Sequence, residues 1–107
     1  MMPWGKTQQS PFSAVERHVE GAQVVAFHGE LDLASAPAAE EALVRAAGSA
    51  VLLDLSGLEF LDAAGLRAIL RAKQRIEAGG DRLHIRGAKG IVRRIFEVTS
   101  LSHLLYD

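Results

Sequence analysis

The sequence predicts a mixed, largely parallel α/β sheet, and three observations carry that expectation. Strand-length apolar runs alternate with amphipathic stretches of helical length, in the order β-β-α-β-α-β-α-β. A strand, a helix and a further strand imply a crossover, which joins parallel neighbours. The exception lies at the start, where Gly21 separates two strand-like runs and reads as the turn of a hairpin. At 107 residues and 49% hydrophobic content the chain has the length of one domain and enough apolar residues for a core.

Each element has its own justification. Residues 1–10, polar and punctuated by Pro3 and Gly5, read as a flexible tail before a single domain over 11–107. From Phe12 the chain alternates as a strand does, and VVAFHGEL adds a second strand rich in β-branched and aromatic residues. In DLASAPAAEEALVRAAG, Ser35 is placed to cap a helix, Pro37 falls in its first turn and Gly48 stops it. Ala36, Ala39, Leu43 and Ala47 form its narrow apolar stripe. AVLLDLS is a short covered strand, followed by the clearest helix of the chain. Asp62 is placed to cap that helix, and Leu66, Ile69, Leu70, Lys73 and Ile76 trace one face before Gly79 and Gly80 end it. RLHIR is a further strand. Ile91, Ile95 and Phe96 mark a last helical face, and LSHLLYD a final strand.

Composition excludes several functions. Lysine plus arginine (12) nearly balance aspartate plus glutamate (13), so no basic stripe argues for direct nucleic-acid binding. With no cysteine there is no disulfide, no thiolate metal site and no thiol nucleophile. No segment reaches the ~20 apolar residues of a membrane span, and the start MMPWGKTQQS lacks a secretory apolar run. His18, His28, His84 and His103 are scattered without ligand spacing, and neither a phosphate-binding glycine loop nor a nucleophile elbow is present. Asp54 and Asp62 are two carboxylates, but their spacing does not imply one site. The reading is therefore no enzyme, no cofactor and no metal.

Functional groups in such sheets gather where strands end and helices begin. Two junctions qualify, Gly29-Glu30-Leu31-Asp32 and Asp62-Ala63-Ala64-Gly65. Each places a carboxylate near a helix N-terminus, where free N–H groups favour negative charge. Asp62 reads first as a plain N-cap. For Gly65, unfavourable in a first helical turn, two explanations stand side by side: tight packing against a strand, or close approach by another molecule.

These junctions resemble those of the STAS domain family, bacterial anti-sigma factor antagonists in particular. VVAFHGELDLASA carries a strand ending in G-E-L-D, and VLLDLSGLEFLDAAGLRAIL carries D-L-S, a short link and a D-x-x-G-L helix start. IVRRIFEVTSLSHLL resembles the family's last helix and final strand, so the likeness spans about residues 12–106. The resemblance implies a mixed sheet of four to five strands with about three helices packed mainly on one side. It implies a cytoplasmic, non-catalytic switch that binds an anti-sigma factor, often a histidine-kinase-like ATPase, and so releases a sigma factor. Gly29, Glu30, Asp32, Asp62, Ala63, Ala64, Gly65, Leu66 and Arg67 would meet that partner, and a homodimer stays open.

One departure matters. Family members are switched off by phosphorylation of the second serine of D-S-S-G, and that position here is Ala64. A phosphoryl group would bring about −1.5 to −2 charges to the helix start; alanine has no oxygen to accept it. Regulation would then be absent or use another hydroxyl, with Ser35, Ser56 and Thr99 as candidates. The ending at Asp107 would also leave no room for the additional C-terminal helix of many antagonists. The alternative is a different use of the same domain, as a subunit of a lipid-transport ATP-binding cassette complex or of a stress-sensing assembly. A small-ligand sensor is a third reading, without a pocket motif behind it.

Overall fold

The computed structural model describes residues 11–106; the expected tail lies outside them. Four strands pair in the order of the chain: β1 (Ser13–Val19), β2 (Ala22–Leu31), β3 (Ala50–Leu61) and β4 (Leu83–Arg86). β1 and β2 form the expected antiparallel hairpin, whereas β2–β3 and β3–β4 are parallel. The crossovers are α1 (Ala36–Arg45) and α2 (Ala63–Ala78), and α3 (Gly90–Val98) follows β4.

Buried residues from each of the three helices join one core cluster with residues of the strands. Val25, Phe27 and Leu31 of β2, Val51, Leu53 and Leu55 of β3, and Leu83 and Ile85 of β4 point into it. Strand side chains alternate between faces, so a single helix layer on one face explains this parity. The opposite face carries, in paired register, Arg17, Val24, Leu52 and His84, with Val15, Ala26, Asp54 and Arg86 beside them. Phe12 closes the β1 side of the core edge-on to Phe27, ring centroids 5.0 Å apart.

Between α1 and α2 the packing is built from alanine. Ala39, Ala68 and Ala72 are fully buried and Ala42 nearly so, and small contact residues let helices approach closely. Over this seam Glu40 accepts from Arg71 and from Arg75, both at 3.0 Å. Arg45 ties α1 back to Glu16 of β1 at 3.7 Å.

Several expectations are corrected. β3 does not stop near Ser56 but runs to Leu61, because the bulged register lets Leu58 and Leu61 return to the core. On α3 the core residues are Val92 and Phe96, while Ile91 is half exposed. The final strand forms only as one parallel bridge between Ile85 and Leu105, after a 3-10 turn over Ser102–Leu104. Ser35 opens α1 without capping it.

The hydrogen bond from Arg71, with Arg75 as second donor, outweighs burial and holds the Glu40 carboxyl below its ordinary 4.5. A lowered carboxyl pKa stabilises the fold above the ordinary value and loses that contribution as pH falls through the folded one. Glu40→Gln is therefore expected to cost about 0.5–1 kcal/mol at neutral pH, the two arginines being solvent-exposed. Denaturant melts of the two proteins should converge as pH drops below 4.5.

Candidate functional site

The two junctions meet because β2 and β3 end in step. Leu31 pairs with Leu61, and the Asp62 N–H donates to the Leu31 carbonyl at 3.2 Å. Gly29 sits where β2 slips register against β3, with φ of 81°. That left-handed conformation favours glycine, and the slip sets how Glu30 and Asp32 leave the sheet.

Both carboxylates turn to the backbone. Asp62 Oδ1 accepts from the Gly65 N–H at 2.8 Å, an N-cap that opens α2. Asp32 Oδ1 accepts from the N–H groups of Ala34 and Ser35 at 3.1 and 3.2 Å. The Ser35 hydroxyl accepts from the Asp32 N–H at 3.0 Å, so it braces this turn instead of capping α1. The structure favours the packing explanation of Gly65. An added Cβ would lie 2.7 Å from Leu31 Cγ, and 2.8 Å from the Leu31 carbonyl and from Leu61 Cδ1. The absent side chain lets α2 begin directly against the ends of both strands.

What reaches solvent is consequently narrow. Gly29, Gly65 and Leu66 are buried and shape the surface from below. Glu30, Asp32, Asp62 and Ala64 are half-buried, while Ala63 and Arg67 are exposed. Two residues outside the motifs join them: Leu33 is 73% exposed and Phe60 36%. Phe60 lies beside Glu30 in the β2–β3 register. A leucine or phenylalanine at a strand end reads as core, which is why no motif reveals this pair. The exposed and half-buried side chains at the two junctions are thus small, apolar or carboxylate, with Arg67 the one cation.

Asp54 does not belong to it. Its strand parity places it on the uncovered sheet face, next to Arg86, and eight residues of extended chain put Asp62 ~25 Å away. Burial works to raise its carboxyl pKa. Hydrogen bonds from Ser56, helped by Arg86 and His28, outweigh that effect and lower it. Among the described residues no cluster of three or more His, Cys, Asp or Glu could hold a metal, and no helix is long and apolar enough to cross a membrane. Of the spare hydroxyls, Thr99 donates to the Ile95 carbonyl at 2.6 Å, while Ser56 is exposed.

The STAS domain family model matches residues 13–106. The chain belongs to the STAS domain family. An anti-sigma factor antagonist from Mycobacterium paratuberculosis is similar at 28% identity and a TM-score of 0.76, covering 90% of this chain and 86% of that one. The phosphorylated form of the Bacillus cell fate determinant SpoIIAA shares the fold at 21% identity, with a TM-score of 0.67 and coverage of 91% and 90%. The murine anion transporter Slc26a9 shares it too, at 19% identity and a TM-score of 0.63; the match covers 81% of this chain but 14% of the transporter. No curated protein matches the chain.

Gly65→Ala is expected to lower stability by about 1–3 kcal/mol, since its Cβ has no room. Asp62→Ala should cost about 1 kcal/mol through the lost cap. Chemical denaturation of the purified variants measures both.

Proposed function

We propose that the chain is a non-catalytic, cytoplasmic protein-binding regulator of the anti-sigma factor antagonist type. It docks on an anti-sigma factor with a histidine-kinase-like ATPase fold and thereby frees a sigma factor. The observation that carries this reading is the adjacency of the Glu30–Asp32 turn and the Asp62 helix start, which the Leu31–Leu61 register and the Asp62–Leu31 hydrogen bond bring together. Similarity to the mycobacterial antagonist over most of both chains supports it. So does the engagement of the two aspartates with the backbone, Asp62 as the cap of α2 and Asp32 as the brace of the turn before α1.

Ala63, Ala64, Arg67, Glu30 and Asp32 make the contact from above, and Gly29, Gly65 and Leu66 hold it in shape. Leu33 and Phe60 add the apolar area that a specific interface needs at its centre. Ala64, on the first turn of α2, occupies the place of the phosphorylated serine, so the modification that would end docking has no acceptor there. Docking then persists in the presence of an active partner kinase.

Three measurements test this. Calorimetric titration with the anti-sigma factors of the source organism should find one that binds; binding to none of them, with co-purification of a permease and its ATPase instead, would assign the chain to a transport complex. Ala64→Asp should weaken the binding at least about tenfold, through charge and desolvation at the docking face. Unchanged affinity would place the interface elsewhere. With ATP and the partner kinase, radiolabel should enter Ala64→Ser and stay absent from the unaltered chain; strong labelling of the latter would overturn the lost switch.

A further inference from the structure

The two edges of the sheet are finished differently. At the β4 edge, α2 and the end of the chain take up the backbone. The Leu83 N–H donates to Glu77 Oε2 at 3.3 Å, and its carbonyl accepts from Lys73 Nζ at 3.1 Å. The Ile85 carbonyl accepts from the Tyr106 N–H at 2.6 Å. β1 forms the other edge and runs for seven residues. Val19 and Ala22 flank the two-residue turn at Glu20 and Gly21, so they exchange backbone bonds with each other. Antiparallel pairs alternate between bonded and unbonded. Ser13, Val15 and Arg17 therefore bond to β2 as well, whereas Ala14, Glu16 and His18 turn their N–H and C=O groups away from the sheet. Among the described residues none pairs with those groups. Such a row is a template for another strand.

A second copy of the chain carries the matching strand. We propose that β1 pairs antiparallel with β1 of a second copy, about a two-fold axis that passes through Val15 perpendicular to the sheet. The Ala14 and Glu16 backbones then exchange bonds with Glu16 and Ala14 of the second copy. Val15, 52% exposed on the face without helices, lies opposite its own counterpart, and Arg17 lies opposite Ser13. An axis at Glu16 or at Arg17 would instead set like charges directly opposite, which is destabilising. On the helix side the charges are complementary. Arg45 of α1 stands 3.7 Å from Glu16, its side chain 60% exposed. The axis sets the two Glu16–Arg45 pairs side by side, so each arginine has a second carboxylate within reach. The formal net charge is only −1, so the two molecules as wholes do not oppose the contact. One short strand from each copy makes a small interface, and the association is correspondingly weak.

The consequence for regulation rests on the proposed function. The start of α2 follows β3, which β2 separates from this edge, so strand pairing leaves it open. The two-fold keeps both helix layers on one side of the joined sheet. A dimer then presents two docking sites, which strengthens binding to a target with two matching sites without any new contact.

Sedimentation equilibrium of the intact chain from about 5 to about 500 μM tests the pairing. The mass should rise toward that of a dimer and no further, because the two-fold occupies the open edge. Val15→Lys and Val15→Asp should each weaken association at least about tenfold, and an equimolar mixture of the two should restore it. Val15 is exposed, so both variants should keep the fold, which circular dichroism checks. The chain has no cysteine, so introduced thiols read the register directly. On mild oxidation Val15→Cys should cross-link at least about tenfold faster than Arg17→Cys, whose thiols would lie ~14 Å apart along the strands. A monomer at every concentration overturns the proposal, as do association indifferent to Val15→Lys, a mixture that stays monomeric, or cross-linking as fast from position 17 as from 15. No anti-sigma factor enters these measurements, so their failure leaves the proposed partner untouched, and failure of that partner to bind leaves the strand pairing standing.

Discussion

The whole arrangement depends on β2 and β3 stopping at the same level. Parallel strands that end in step must send their chains into helices side by side, and one backbone hydrogen bond, from Asp62 to Leu31, fixes that alignment. From it follow the close approach of α2, the glycine required at position 65 and the proximity of two turns 30 residues apart in the chain. The residues most visible as motif are thus mainly answers to a geometric demand. Glycines bend or clear space, Asp62 satisfies an N–H group that the start of α2 leaves unpaired, and Asp32 satisfies those of the turn before α1.

That division explains why a junction so marked in sequence holds so little chemistry. A carboxylate engaged in capping is oriented toward its own backbone and offers one remaining edge to the surroundings. The side chains left on top are alanine, leucine, phenylalanine and arginine. In the proposed docking, such side chains would be read by shape, area and peripheral charge, as protein–protein contacts are.

Much of this was legible from residue patterns. α2 announced itself through Asp62, an apolar face and two terminal glycines, and all three features are where expected. Its second buried row, Ala68 and Ala72, was not, because alanine carries almost no periodic signal. In α3 the apolar residues 91, 92, 95 and 96 fit more than one face over so short a helix. The structure buries Val92 and Phe96. The end of β3 was hidden by Ser56 and Gly57, which read as a turn in isolation and are accommodated within the strand. The chain after Leu101 has strand-like composition yet only one bridging residue, since β4 offers a short edge. Leu33 and Phe60 escaped for a different reason: exposure is a property of neighbours, which the local sequence does not encode.

The clamp of Glu40 between Arg71 and Arg75 has a bearing on how anything can be recognised by this domain. It joins α1 to α2 over the alanine seam, so displacing one helix against the other would break two ion pairs. Pre-ordering of this kind would lower the entropic cost of the proposed docking without an extra contact. The burden of adjustment falls on the other molecule. Whatever settles there has to bring the pliable side of the interface itself.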